Sequence, residues 1–146
     1  MTLDNLRRIG KLKAHTATGI EVVRLLDAAE QSLADASVGG LSAASRLDLA
    51  WRAIMQGALA AMLCSGYRPT TSEPVHHQLL VQALPLTAGI AGSRVRVLDA
   101  FRGLRNQVDY RGVPISDAVA DECRTEAHDL LNHVRSWIAA RQPHLL

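Results

Sequence analysis

Apolar residues recur at helical spacing through most of this chain, in segments separated by Gly and Pro residues. In the clearest segment Leu47, Trp51, Ile54, Ala58 and Ala61 follow one another at intervals of three or four residues, which places them on one face of an α-helix. Aromatic residues, which β-sandwiches and barrels need in larger numbers, make up only 3% of the sequence. The pattern therefore predicts an all-α protein.

In the first half of the chain, residues typical of helix starts predict two long helices followed by a loop. Thr18 and Glu21 have the spacing of a capping box and predict the start of the first long helix. The residues of this helix that we expect to face the core are Ile20, Val23, Leu26 and Leu33. A second helix is expected from Ser42 or Ser45 to Gly66. Residues 67–74 predict a loop, in which Ser72 is expected to cap a short helix.

The second half of the chain predicts two more long helices. One is expected from Ser93 to Gly112, and the last begins at Ser116. The apolar face of the former is expected to contain Val97, Leu98, Phe101, Leu104 and Val108. Short connections between long amphipathic helices are typical of antiparallel bundles. We therefore expect one domain over residues 1–146, an antiparallel bundle of four or five helices, with residues 1–17 as a short N-terminal segment.

Composition and charge narrow the classes of function. A net charge of +2 is too small to indicate a nucleic-acid-binding protein by itself. Cys64 and Cys123 are far apart and match no metal-site spacing, so we expect small core residues, no metal or cofactor, and a reducing cytoplasm. The N-terminus lacks the apolar run of a signal peptide, and the longest apolar run is too short to span a bilayer, so no membrane association is expected.

Positive charge is concentrated in residues 94–111, which contain five Arg and two Asp. Arg105 falls between Phe101 and Val108 on the helical wheel, beside the apolar stripe, so its charge needs a partner. Two roles remain open for it. Arg105 pairs with Asp109 or with an acid of the last helix, or it binds a phosphate.

The sequence Arg105-Asn106-Gln107-Val108-Asp109-Tyr110 resembles the arginine motif of HEPN domains, in which an Arg and a polar residue are followed, after a few residues, by a His. The order of segments agrees: an Ala-rich helix, residues 66–70, then His76-His77, the arginine helix and one terminal helix. The same order occurs in small prokaryotic HEPN proteins encoded beside minimal nucleotidyltransferases. The resemblance covers about residues 18–138.

This resemblance implies a homodimer that brings two arginine helices together across a cleft and binds RNA or nucleotide there. It further implies a toxin–antitoxin or defence system, a nucleotidyltransferase antitoxin as partner, and metal-independent endoribonuclease activity that leaves a cyclic phosphate. The residues that it places in catalysis are Arg105, Asn106 and Tyr110. Those that it places against nucleic acid are Arg102, Arg105, Asp109 and Arg111.

Tyr110 is where the chain departs from the HEPN motif, because it occupies the position of the motif His. A phenol with a pKa of about 10 is a poor general base at neutral pH. On a straight helix Tyr110 lies about 140° from Arg105, so the two share a site only if the helix unwinds before Gly112 or a second copy supplies one of them. Enzymatic activity is therefore left open. The alternative function is a non-catalytic helical module that docks a nucleotidyltransferase or another protein.

The histidines allow two interpretations. His76 and His77 are adjacent, so their side chains diverge by about 100° on a helix and predict surface or loop packing rather than a metal site. The alternative for one of them is a place in the lining of the cleft. His128 and His133 lie five residues apart, a spacing that does not converge on a metal, and we expect them at solvated or edge positions.

Overall fold

The computed structural model describes residues 1–70 and 75–146, apart from the side chain of Val75. The expected cap at Ser72 lies outside these residues. The fold is an all-α helical bundle with one small two-stranded sheet, which confirms the predicted fold class. In chain order the elements are α1 (Leu3–Arg8), β1 (Leu12–Ala14), α2 (Gly19–Asp35), α3 (Ala43–Cys64), β2 (Tyr67–Pro69), α4 (Val75–Gln82), α5 (Leu84–Ala88), α6 (Gly92–Arg111), α7 (Asp117–Arg141) and a 3₁₀ turn (Pro143–Leu145).

The helix ends follow local capping chemistry. Glu21 N–H donates to Thr18 Oγ1 at 3.2 Å, and Thr18 N–H donates to a carboxylate oxygen of Glu21 at 2.9 Å, so the predicted capping box is confirmed. Ser42 and Ser116 cap α3 and α7 in the same way, each accepting a backbone N–H. Gly112 ends α6 with a φ of 63°, a left-handed conformation that glycine adopts without steric cost.

Helix α3 forms the centre of the bundle and packs most extensively against α2 and α7. Arg46, near the start of α3, binds Asp117 and Asp121 at the start of α7, and Gln142 Nε2 donates to the Cys64 carbonyl at the far end at 2.7 Å. Helices α3 and α7 therefore run parallel. Short connections join α2 to α3 and α6 to α7, so the helices of each of these pairs run in opposite directions, as in an antiparallel bundle.

Most of α3 is buried. All five residues of its predicted apolar stripe are 1% exposed or less. A methyl group on Gly57 would lie 2.9 Å from Leu131 Cδ2, so the absence of a side chain there allows α7 to approach closely. Among the described helices, α3 alone is long and apolar enough to cross a membrane, and 67% of its most apolar window is buried in the bundle, as in the core helix of a soluble protein.

Three local expectations were wrong. Ile20 is 66% exposed and Val97 is 43% exposed, because the buried faces of α2 and α6 are rotated away from these residues. The buried residues of α2 are Val22, Leu26, Ala29, Ser32 and Leu33. Part of the predicted loop is strand: β2 pairs antiparallel with β1, Leu12 opposite Pro69. Its partner strand comes from the N-terminal segment, so neither tripeptide alone signals the pairing.

Candidate functional site

Arg105 projects from α6 towards α3. Its Nε donates to Asp48 Oδ1 at 2.7 Å, whereas Asp109 Oδ2 lies 3.9 Å from the same nitrogen. The expected ion pair with Asp109 is therefore present, but the shorter contact is with Asp48 of α3, which was not predicted. The antiparallel packing of α6 on α3 places Asp48 beside Arg105, although the two residues are 57 positions apart.

A cavity of about 400 Å³ opens beside this ion pair, between α3, α4 and α6. Its walls include two guanidinium groups, Arg52 and Arg105, and two imidazoles, His76 and His77. The remaining lining residues are Asp48, Trp51, Met55, Gln56, Leu59 and Leu80. The cavity therefore combines an apolar floor with two guanidinium cations, the carboxylate of Asp48 and neutral polar groups, the composition of a small-ligand site.

Several polar atoms in this cavity are buried without a partner. Trp51 Nε1, Gln56 Oε1 and His76 Nδ1 have no hydrogen-bond partner within the described part of the chain. Each such atom costs about 1–3 kcal/mol relative to a satisfied one. A groove of about 520 Å³ between α2 and α7 has no such atom among its described lining residues. The unpartnered atoms therefore favour the cavity beside Arg105 as the ligand site.

The histidines of α4 belong to this cavity. His77 is only 6% exposed, with its ring centroid 6.0 Å from that of Trp51 and 4.9 Å from that of His76. The preferred expectation of surface or loop packing was therefore wrong for His77. Both histidines line this cavity of the single chain, and the alternative place of one of them in the cleft of a homodimer stays a prediction. His76 and Leu80 lie four residues apart on α4, and this spacing was the available sequence signal that His76 turns inward.

The histidines of α7 differ from each other. His128 is exposed, as expected. His133 is half-buried: its Nε2 is hydrogen-bonded to the Ala88 carbonyl, and its ring stacks on Trp137 with centroids 6.1 Å apart. His133 therefore joins α7 to the end of α5.

The other motif residues lie away from the cavity. Helix α6 is continuous to Arg111, and Tyr110 is 82% exposed. Neither Tyr110 nor the partly buried Asn106 is among the described residues that line the cavity. Within one chain the helix does not unwind to bring Tyr110 to Arg105, so the motif residues meet only if a second copy contributes.

The remaining predicted nucleic-acid contacts are at the edges of α6. Arg102 Nε donates to Asp99 Oδ1 at 2.7 Å, a local pair on the same helix. Asp109 and Arg111 are exposed near the end of α6. These three residues are therefore surface charges of the described chain.

A second cavity of about 560 Å³ adjoins the first and shares Leu59 and His76 with it. Its polar lining is His15, Glu21, Arg68 and His76, and its apolar lining is Leu59, Leu63 and Pro69. His15 Nε2 lies 3.1 Å from both carboxylate oxygens of Glu21. The backbone N–H of Thr18, followed by His15, holds the pKa of Glu21 below its ordinary value, so this carboxylate stays charged at neutral pH.

Residues 1–70 and 75–146 contain neither a metal-binding cluster nor a cysteine with a lowered pKa. No three His, Cys, Asp or Glu side chains of these residues converge where they could hold a metal ion. Burial raises the pKa of Cys64 to about 11 and that of Cys123 to about 12, so both are almost entirely thiols at neutral pH. Cys123 is a core residue, as expected, and Cys64 is half-buried.

Comparison with known proteins gives no match: no protein-family model, no curated protein and no solved structure matches this chain. The resemblance to HEPN domains therefore rests on the arginine motif and the order of the helices. The cavity beside Arg105 is defined by geometry alone.

Proposed function

We propose that this chain binds RNA or a nucleotide through a phosphate in the cavity beside Arg105, as the HEPN-type component of a cytoplasmic toxin–antitoxin or defence system. The observation that supports this most is that two guanidinium groups line the same cavity as Trp51 and His76, whose Nε1 and Nδ1 atoms are unpartnered within the described residues. A volume of about 400 Å³ lies in the range of small-molecule sites, about 300–1,000 Å³.

A phosphate suits this cavity for an electrostatic reason. The planar guanidinium of Arg105 matches the geometry of phosphate oxygens, and its hydrogen bond to Asp48 fixes its orientation. Arg52 of α3 is a second cation in the lining of the cavity. Hydrogen bonds between a cation and a phosphate are among the stronger ones in proteins, because both the donor and the acceptor are charged.

His76 supplies what Tyr110 lacks for metal-independent cleavage of RNA. At neutral pH an imidazole is a better general base than a phenol. In the proposed reaction His76 takes the proton of a 2′-hydroxyl, the 2′-oxygen attacks the phosphorus, and the bond to the 5′-oxygen breaks. The leaving 5′-oxygen takes up a proton from water, and His76 afterwards releases its proton to solvent. The products are a 2′,3′-cyclic phosphate and a 5′-hydroxyl, and Arg105 stabilises the charge on the phosphate oxygens as it develops.

The test uses a labelled pool of single-stranded RNA in EDTA with wild type, His76→Asn and the matched control His128→Asn, whose histidine is exposed on α7. We expect wild type and the control to cleave with cyclic-phosphate ends, and His76→Asn to bind RNA without cleaving it. Equal cleavage by all three proteins contradicts the role of His76. Failure of the wild type to bind RNA or nucleotide contradicts the proposed function.

The exposed side of α6 favours a second candidate, a non-catalytic module that docks a nucleotidyltransferase or another protein. Tyr110 is 82% exposed and Val97 is 43% exposed on this helix. Because Val97 and Tyr110 diverge by about 140° on α6, the docking surface in this candidate function is the one around Val97, and the homodimer that the HEPN resemblance implies would use it as well. Sedimentation of wild type and Val97→Asp, alone and with a nucleotidyltransferase encoded beside the chain, separates these outcomes. Loss of self-association indicates a dimer surface, and selective loss of the mixed complex indicates a docking surface.

A further inference from the structure

The two cavities adjoin each other along α3, and together they are called the trough below. The residues of α3 that line them run from Asp48 to Leu63, and Leu59 and His76 belong to both cavities. At 1.5 Å per residue this part of α3 is about 22 Å long. A trough of this length accommodates more than a single phosphate or mononucleotide.

Two cations face each other at the far end of the trough. Lys13 on β1 is directly opposite Arg68 on β2 in the antiparallel pair, and both side chains are exposed. Directly opposed side chains project to the same face of a sheet, and like charges in this arrangement destabilise the pairing. Arg68 also lines the second cavity. An anion bound between Lys13 and Arg68 would remove their repulsion.

The second cavity has the features of a nucleoside site. Leu59, Leu63 and Pro69 form an apolar floor on which the flat face of a base can lie, and His15 and Arg68 offer polar groups for its edge. Glu21 would repel a phosphate, but its carboxylate is engaged by Thr18 N–H and His15. The favourable position for a phosphate is therefore beside Lys13 and Arg68 rather than beside Glu21.

We propose that Lys13 and Arg68 form a second phosphate subsite, so that the ligand of the trough is a single-stranded oligonucleotide. One phosphate lies at Arg105, the adjoining base lies on the apolar floor of the second cavity, and a further phosphate lies between Lys13 and Arg68. This inference rests on the proposed function, because the first phosphate is the one assigned there to Arg105.

The experiment measures the dissociation constants of a nucleoside 5′-monophosphate and of a labelled single-stranded RNA hexamer at several salt concentrations. The proteins are wild type, the double variant Lys13→Ala/Arg68→Ala, and Arg124→Ala, which removes an exposed cation between α2 and α7. Each phosphate contact to a single strand contributes about 0.7 to the slope of log K against log salt. We expect the double variant to bind the hexamer about tenfold or more weakly, with a slope shallower by about 0.7–1.4.

The mononucleotide and the control variant separate the outcomes. The double variant is expected to bind the monophosphate as wild type does, and Arg124→Ala is expected to match wild type for both ligands. Thermal unfolding followed by circular dichroism checks that the double variant is folded. A hexamer slope and affinity unchanged in the folded double variant overturn the second subsite while leaving the Arg105 site intact. If wild type binds neither the monophosphate nor the hexamer, the proposed function and this inference are overturned together.

Discussion

Replacement of Arg105 by alanine separates a structural role from a phosphate-binding role, because the two roles predict different magnitudes. The pair with Asp48 is partly exposed, with 27% of the Arg105 side chain and 45% of the Asp48 side chain accessible. Pairs of this kind contribute at most about 1 kcal/mol. In a chain of this size a loss of 1 kcal/mol lowers Tm by about 2–4 °C. We therefore expect Arg105→Ala to reduce stability only slightly.

The effect on binding should be larger. A hydrogen bond to a charged group contributes about 1.5–3 kcal/mol, and 1.4 kcal/mol corresponds to a factor of ten in Kd. Arg105→Ala should therefore weaken the binding of a single-stranded RNA hexamer by roughly ten- to a hundredfold. Fluorescence anisotropy measures Kd, and urea unfolding measures the free energy of unfolding of the same preparations. Arg96→Ala, which removes an exposed arginine of the same helix, is the matched control.

Unchanged RNA binding by Arg105→Ala refutes the proposal that Arg105 binds a phosphate. If Arg105→Ala binds the hexamer as tightly as Arg96→Ala does, Arg105 contacts no phosphate. A fall in the free energy of unfolding of more than about 3 kcal/mol would show that the contacts of Arg105 within the fold contribute far more than a partly exposed ion pair does.

Three further predictions concern stability and reactivity. Gly89→Ala places a methyl group 2.6 Å from the Trp137 ring at a φ of +64°, so the free energy of unfolding measured in urea should fall by about 2–4 kcal/mol. Gly112→Ala is the matched control: at a φ of +63° with no atom within 4 Å, its free energy of unfolding should fall by only about 1–2 kcal/mol. Because the pKa of Glu21 is lowered in the folded state, its contribution to stability is present above its ordinary pKa and is lost as pH falls through the folded pKa. The Tm of Glu21→Gln should therefore be below that of wild type at pH 7, and the difference should shrink in acid; a constant difference contradicts this linkage. Cys123, buried and with a pKa raised to about 12, should react with a thiol reagent at pH 8 only after unfolding in urea, and rapid labelling of the native protein would contradict its burial.

The helix starts and ends were predictable because they depend on interactions within a few residues. The capping box of Thr18 and Glu21, the caps at Ser42 and Ser116, and the left-handed Gly112 each satisfy backbone groups locally. The buried stripe of α3 was predictable because this helix packs on both α2 and α7, so almost any apolar residue on it is buried. Ile20 and Val97 were misplaced because α2 and α6 each bury one narrow face, and a small rotation exposes an edge residue.

The site was harder to predict, since its parts are far apart in the chain. Arg105 stood out from its place beside an apolar stripe, and its need for a partner was correct. Which partner it has depends on the packing of α6 against α3, and so does its proximity to His76 and His77 on α4. Tyr110, which was expected to meet Arg105 only if the helix unwound or a second copy contributed, is exposed because α6 stays helical to its last turn.

The sequence by itself determined the class of fold and the limits of the long helices, because helical periodicity and capping are properties of contiguous residues. It also determined that positive charge would be concentrated on one helix. Only the tertiary structure decided which groups surround that charge. Two features exist because distant segments pack together: the cavity with Asp48, His76 and Arg105, and the pairing of Lys13 with Arg68 across β1 and β2. The spacing of residues along the chain does not indicate which distant segments pack together.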